Sequence, residues 1–294
     1  QRLFTMPLLT VAGKLNDQTF QRCKKGAEII AQNSDWEVKV LSLLPTDYEV
    51  YLETAMAYFA GTVVKQSHKS NVVAFVGAPG TPGCEYIGGM KQLQTFMRET
   101  FGYVDKTNKI LYERMAKVHM RKVMAEKGHK FVYMDFSVDG VSSGKVIMEL
   151  FTSEVPKTCS NFISLCKGTD KGTYKNTPIH RIVDGGWLQG GDIVDGSGLN
   201  GQSIYGQRFA DECFAVKHNQ AGIVGMANSG SHTNASQFYI TLASLPYLDG
   251  KKVAFGRVID GMRTLKMLKK LKTVNERPEA LVTIADAGEF SLEA

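Results

Sequence analysis

The sequence predicts an α/β domain over residues 1–105, a basic linking helix over 106–130, and a β-barrel capped by two helices over 131–294. Three observations carry this division. Strand-period and helix-period segments alternate through the first part. Residues 107–127 contain no glycine or proline and are rich in good helix formers. Beyond them, short alternating strands recur between turn residues, with only two helical patterns among them, as in an all-β barrel.

Leu3–Ala12 reads as an apolar strand and Thr19–Gln32 as a helix, with Asp17 before it as a cap. Phe20, Cys23, Ala27, Ile30 and Ala31 form the predicted core face of that helix. A second strand spans Trp36–Leu44 and a second helix Asp47–Ala60. Asn71–Val76 is a third strand, followed by a Gly/Pro-rich loop, a short strand Cys84–Ile87, and Gly88–Gly89 leading into helix Met90–Phe101. In the linking segment, Leu111, Met115, Val118 and Met120/Met124 make a broken apolar stripe, and Gly128 is placed to end the helix. Phe131–Val138 and Lys145–Phe151 form a hairpin around Gly140–Gly144, and Val155–Cys166 is a helix started at Pro156. Short strands follow near Ile179–Ile182, Trp187–Gln189, Ile223–Ala227, Gln237–Leu242 and Val253–Val258, then helix Met262–Leu271 and strand Val282–Phe290.

Composition bounds the function. The chain has 294 residues, 43% of them hydrophobic and 22% charged, which suits a soluble globular protein. No apolar run approaches the roughly 18 residues a membrane-spanning helix needs, and a cytoplasmic location is expected. The five cysteines are scattered without a C-x-x-C pair, so neither a zinc site nor a dithiol centre is indicated, and a reducing setting fits. The net charge of +6 is concentrated. Residues 104–130 carry eight Lys/Arg against three acids, and residues 262–278 carry six against Glu276 alone. Either segment alone reads first as an ordinary solvated helix face, and together the two suit an acidic protein partner. No recognition motif accompanies the charge, so nucleic acid is disfavoured.

The most informative stretch is His180–Asp192, HRIVDGGWLQGGD. A turn at Asp184–Gly186 folds its two apolar runs into neighbouring strands, which puts Arg181 and Gln189 on one face. A guanidinium and an amide on an apolar wall suit gripping a peptide bond. Spacing alone serves equally well a structural arginine satisfied by carbonyls.

Over Phe131–Phe290 the chain resembles the cyclophilin family of peptidyl-prolyl isomerases. The matching blocks are ELFTSEVPKTCSNF (149–162), HRIVDGGWLQGGD (180–192), GLNGQSIYGQRFADECF (198–214), GIVGMANSGSHTNASQFYI (222–240) and LDGKKVAFGRVIDGM (248–262). The resemblance implies an eight-stranded closed barrel and, for a proline-containing peptide, cis–trans isomerisation without any cofactor or metal. Rotating an X–Pro bond removes amide resonance, a barrier of roughly 18–20 kcal/mol, and a donor on the prolyl nitrogen stabilises the twisted state. By resemblance Arg181 is that donor, Gln189 supports it, and Ala227 and Asn228 bind the substrate backbone. Met226, Leu248 and Phe255 also match.

The proline pocket departs from the pattern. The family's Phe-Met pair falls on Gly186–Trp187, its floor phenylalanine on Tyr239, its tryptophan on Tyr247 and its usual histidine on Lys252. Adjacent strand residues point to opposite faces, so Trp187 is not expected to refill the place of the missing ring. Tyr239 brings a hydroxyl that needs a partner if buried, and Lys252 brings charge. The expectation is absent or very weak catalysis, because small misplacements cost large factors in rate, with poor binding of cyclosporin-type ligands. An active isomerase with an altered pocket is the alternative.

The first part resembles thioredoxin-like domains, most nearly glutaredoxins, in element order and in YIGG (86–89). Its first strand-to-helix turn, Gly13–Phe20, has no cysteine, and Cys23 lies a turn inside the helix, so a thiol enzyme on Cys23 or Cys84 is disfavoured. The whole arrangement resembles the divergent isomerase-like branch of ciliated cells. That implies a structural or interaction module of the ciliary axoneme, with tubulin and other axonemal proteins as candidate partners.

Overall fold

The structure is a computed structural model that describes residues 6–59 and 68–292. Residues 3–5 of the predicted first strand and residue 60 of the predicted second helix lie outside them. The chain divides into residues 1–127 and 128–294.

In the first unit, β1 (Leu8–Lys14) runs parallel to β2 (Glu37–Leu43) and antiparallel to β3 (Val72–Val76), and β4 (Glu85–Gly88) extends the sheet in the order β2-β1-β3-β4. Helix α1 (Gln18–Asn33) begins where the Asp17 carboxylate accepts from the backbone N–H of Thr19 and Phe20 at 2.8 and 3.1 Å. It buries Phe20, Cys23, Ala27 and Ile30, while Ala31 is exposed. Helix α2 (Pro45–Ala57) starts at Pro45, two residues before the predicted start, because proline needs no N–H partner there. Helix α3 (Met90–Phe101) ends at Gly102, whose φ of 66° is the left-handed conformation of a helix cap.

Helix α4 (Lys109–Lys127), predicted to link two domains, packs on α1 within this unit. Its buried stripe is Tyr112, Ala116, Met120 and Met124, a strict i,i+4 row. Leu111 and Val118, assigned to the core by the sequence pattern, are exposed. Local polar ties select the row: the Tyr112 hydroxyl donates to Asp105 at 3.0 Å, and Gln21 Nε2 meets His119 Nδ1 at 3.0 Å. Asp105 in turn is ion-paired with Arg22 of α1. Burial pushes the Cys23 thiol up to about 12, and burial also raises Cys84, the opposite of a reactive thiol.

The second unit is an eight-stranded antiparallel barrel. Its strands are β5 (Lys130–Val138), β6 (Val141–Leu150), β7 (Ile179–Ile182), β8 (Trp187–Gly190), β9 (Ile223–Met226), β10 (Phe238–Thr241), β11 (Ala254–Asp260) and, after a two-stranded hairpin, β14 (Val282–Glu289). The hairpin is β12 (Thr273–Val274) and β13 (Arg277–Pro278). Sheet order is β14-β5-β6-β11-β9-β10-β8-β7, and the ends meet where Pro178 bridges Thr283 and Ile284 N–H donates to Thr177 O at 2.9 Å. Two helices cap the barrel, α5 (Pro156–Lys167) and α6 (Met262–Leu268). The first turn of α5 has a remote cap, since Glu212 accepts from the N–H of Lys157 and of Thr158, each at 2.9 Å. Phe162 of α5 enters the barrel core against Phe255 and Phe238, with ring centroids 4.9 and 5.2 Å away.

One charge is buried in this wall. Glu149, fully covered on β6, receives Arg257 Nε at 2.9 Å from its register neighbour on β11 and lies 2.8 Å from His129 Nδ1. Removing Arg257 takes from the buried carboxylate its guanidinium partner. Arg257→Ala is expected to lower unfolding stability by about 3–5 kcal/mol in chemical denaturation of the full chain.

Candidate functional site

Strand alternation builds the site. Strands β7 and β8 pair with Arg181 directly opposite Gln189, and β10 continues the row with Tyr239 opposite Gln189. Gly185, at φ 65°, makes the turn between β7 and β8, and Val183 N–H closes it on Trp187 O at 2.8 Å.

Trp187 corrects the expectation from sequence. Its side chain faces the site, with its ring 6.0 Å from that of Tyr239 and 5.5 Å from Arg181 Cζ, while its indole N–H donates to Gln189 Oε1 at 3.2 Å. The relevant parity is with Gln189, two residues on and therefore on the same face, and not with the missing ring at Gly186. Trp187 packs with Tyr239, Leu245, Leu248, Ala227 and Ala243 in a small apolar cluster beside the site.

Tyr239 is 3% exposed and its hydroxyl has a partner. It lies 2.7 Å from His218 Nε2, and His218 Nδ1 lies 2.8 Å from Asp249 Oδ1, which also accepts the His218 backbone N–H at 2.9 Å. The consistent proton arrangement has the Tyr239 hydroxyl donating to Nε2 and Nδ1–H donating to Asp249. Burial raises the Tyr239 hydroxyl well beyond its ordinary pKa, so it stays a donor. The Asp249 carboxyl is held below the usual carboxylate range by the His218 backbone N–H first and then by its ring. Its contribution to stability is therefore present at neutral pH and is lost as pH falls through that lowered value. The hydroxyl fits because residue 225 is glycine. A Cβ there would lie 2.3 Å from the Tyr239 oxygen.

The polar half of the site is occupied by its own neighbours. Arg181 Nε donates to Glu276 Oε2 at 2.6 Å. Gln189 Nε2 donates to Gln237 Oε1 at 2.9 Å, and Gln237 Nε2 reaches Gly198 O and Asn200 O at 2.9 and 2.7 Å. Lys252 does not enter the apolar cluster as charge. Its ammonium binds Asn228, through the backbone oxygen at 2.9 Å and through the side-chain oxygen, and burial pulls its pKa below the usual lysine value. Asn228 Nδ2 donates to Asn234 Oδ1 at 3.0 Å.

The remaining sequence candidates divide. Met226 and Phe255 are fully buried in the central barrel core, Leu248 joins the apolar cluster, Ala227 is half-buried, and Tyr247 is exposed. A polar groove of about 310 Å³ runs alongside, lined by Arg181, Gln189, Asn200, Arg208, Asn228 and Gln237, among others. Among the described residues no group of three or more His, Cys, Asp or Glu is placed to hold a metal. Sequence reasoning missed His218, Asp249, Gln237 and Glu276. Gln237 and Asp249 lie within matching blocks, Glu276 stands out as the one acid in a strongly basic segment, and His218 carried no signal.

A nearly closed eight-stranded antiparallel barrel with an arginine and a glutamine facing each other on β7 and β8 is the arrangement of a cyclophilin. Residues 133–289 match the family described as cyclophilin type peptidyl-prolyl cis-trans isomerase/CLD, and the chain belongs to that family. Over almost its whole length it is similar to the human protein named "Probable inactive peptidyl-prolyl cis-trans isomerase-like 6", with 39% identity over 289 residues, covering 95% of this chain and 90% of that protein. Proteins of the same name are 38% identical in Mus musculus over 95% of this chain and 90% of theirs, and 37% identical in Bos taurus over 95% and 92%.

The fit between Gly225 and Tyr239 can be tested by a double-mutant cycle. Gly225→Ala alone should destabilise by about 1–3 kcal/mol through overpacking, and Tyr239→Phe alone by about 1–3 kcal/mol through the stranded His218 nitrogen. The double variant should lose close to the sum, because phenylalanine keeps the ring carbon Cζ that a Cβ at residue 225 would meet at 2.4 Å.

Proposed function

We propose that this chain is a degenerate cyclophilin used as a structural or protein-interaction module, with absent or very weak isomerase activity, in a ciliary or axonemal microtubule assembly. One observation carries the reading: Arg181, Gln189 and Asn228 are each hydrogen-bonded to side chains of the protein itself. Arg181 is the donor the reaction needs, and its charge is offset by Glu276 at 2.6 Å. One oriented donor of this kind is typically worth about 10²–10³ in rate. Trp187 and Tyr239, packed together with Leu248, leave the apolar side rebuilt around indole and phenol rings. The mammalian relatives carry the name "probable inactive" isomerase, which supports absent or very weak activity.

The first unit is read as a thioredoxin-like domain without a thiol site, on its βαβαββα order and its high cysteine pKa values. No helix among the described residues is long and apolar enough to cross a membrane. The exposed face of α4, with Arg114 and Lys117 beside Leu111 and Val118, offers charge and apolar contact to an acidic protein surface such as tubulin. The second reading, an active isomerase with an altered pocket, rests on Arg181, which is 43% exposed and lines the polar groove.

Two measurements follow. In NMR exchange spectroscopy on an Ala-Pro peptide, the full chain should leave the cis–trans rate near its uncatalysed value, and Arg181→Ala should change nothing. Acceleration that Arg181→Ala abolishes would establish the isomerase reading instead. Co-sedimentation with microtubules should occur at low salt, weaken as the screening length shortens to about 8 Å near 0.15 M, and fall with Arg114→Glu/Lys117→Glu. No co-sedimentation at any salt contradicts direct lattice binding.

A further inference from the structure

The turn of the β12–β13 hairpin is Asn275–Glu276, with φ of 50° and 64°. Positive φ at both central residues is the two-residue hairpin geometry that favours Asn-Gly. Glutamate stands at the second position, where a Cβ is disfavoured. Backbone strain of this kind at a site is a reason to ask what the side chain does.

What it does is hold Arg181, whose Nε donates to the carboxylate at 2.6 Å. Fold stability is a poor explanation, because each partner is 43% exposed and an exposed ion pair contributes little. The turn is also fixed in place from both sides. Glu276 O accepts the N–H of Ile182, next to Arg181 on β7, at 2.7 Å, and Arg277 Nη2 donates to Ser197 O at 2.7 Å. The carboxylate is thus delivered to the guanidinium by a docked hairpin. Gln189, the expected support for Arg181, is meanwhile engaged with Trp187 and Gln237.

We propose that Glu276 is an internal brake: it takes over from Gln189 the orientation of Arg181, and its charge offsets the guanidinium that would otherwise donate to a twisting prolyl nitrogen. This rests on the reading of the barrel as a cyclophilin with suppressed activity, and it assigns the suppression to a specific contact. A structural role for Glu276 alone predicts no gain of activity on its removal.

The test uses the full chain in NMR exchange spectroscopy on an Ala-Pro peptide, comparing wild type, Glu276→Gly and Glu276→Gln, each with and without Arg181→Ala. Glycine suits the left-handed turn, so Glu276→Gly should fold with an unchanged or raised melting temperature. Glutamine keeps the side chain's length without its charge. Both variants should accelerate exchange by roughly tenfold or more, part of the 10²–10³ that one oriented donor supplies, and Arg181→Ala should remove the gain. Both variants remaining at the wild-type rate, whatever that rate is, would overturn the brake, as would a gain that survives Arg181→Ala. A wild-type chain that already accelerates exchange counts separately, against the inactive reading.

Discussion

An unpaired buried hydroxyl is costly, and the partner that Tyr239 has found for its own organises much of the site. Leaving such a group unpaired costs about 1–3 kcal/mol, so a phenol on the barrel floor demands an acceptor that is itself held in one tautomer. His218, fully buried, is that acceptor, and Asp249 orients it. The hydroxyl also needs room, which Gly225 provides on the neighbouring strand. Tyr239 is therefore integrated with three partners drawn from different segments. The pocket has been rebuilt around it, and is more than an isomerase site with a side chain missing.

The same logic extends outward along the row. Trp187 lies beside Tyr239 and donates its indole N–H to Gln189, which in turn donates an amide N–H to Gln237. With Gln189 so engaged, Arg181 meets Glu276 from the hairpin turn, and Asn228 meets Lys252. Three departures from the family's proline pocket, Trp187, Tyr239 and Lys252, thus carry internal contacts, while Tyr247 is exposed. Groups that would face a peptide are turned toward the protein, which favours a scaffold over a catalyst.

The barrel was legible in the sequence because strand alternation and turn residues are local signals. The opposition of Arg181 and Gln189 followed from the short turn between their strands. Trp187 was misread because its direction was judged against Gly186, when the same-face rule ties it to Gln189. In α4 two apolar rows compete, and Leu111 and Val118 lost to Tyr112 and Ala116 because Asp105 and Gln21 supply polar anchors for that side. The contacts that decide the site were not legible at all. Arg181 and Glu276 are 95 positions apart, and nothing in local periodicity reports such a pair.

The site's donors are satisfied by the protein itself: Arg181 by Glu276, Trp187 by Gln189 and Gln189 by Gln237. The most direct measurement is a ¹H–¹⁵N titration of the full chain with a millimolar Ala-Pro peptide, following the Trp187 indole N–H and the Arg181 Nε–H. Both resonances should stay in place, since Gln189 and Glu276 already hold them. Saturable shifts of both, at a common affinity, would show the peptide displacing those partners and would contradict that internal pairing.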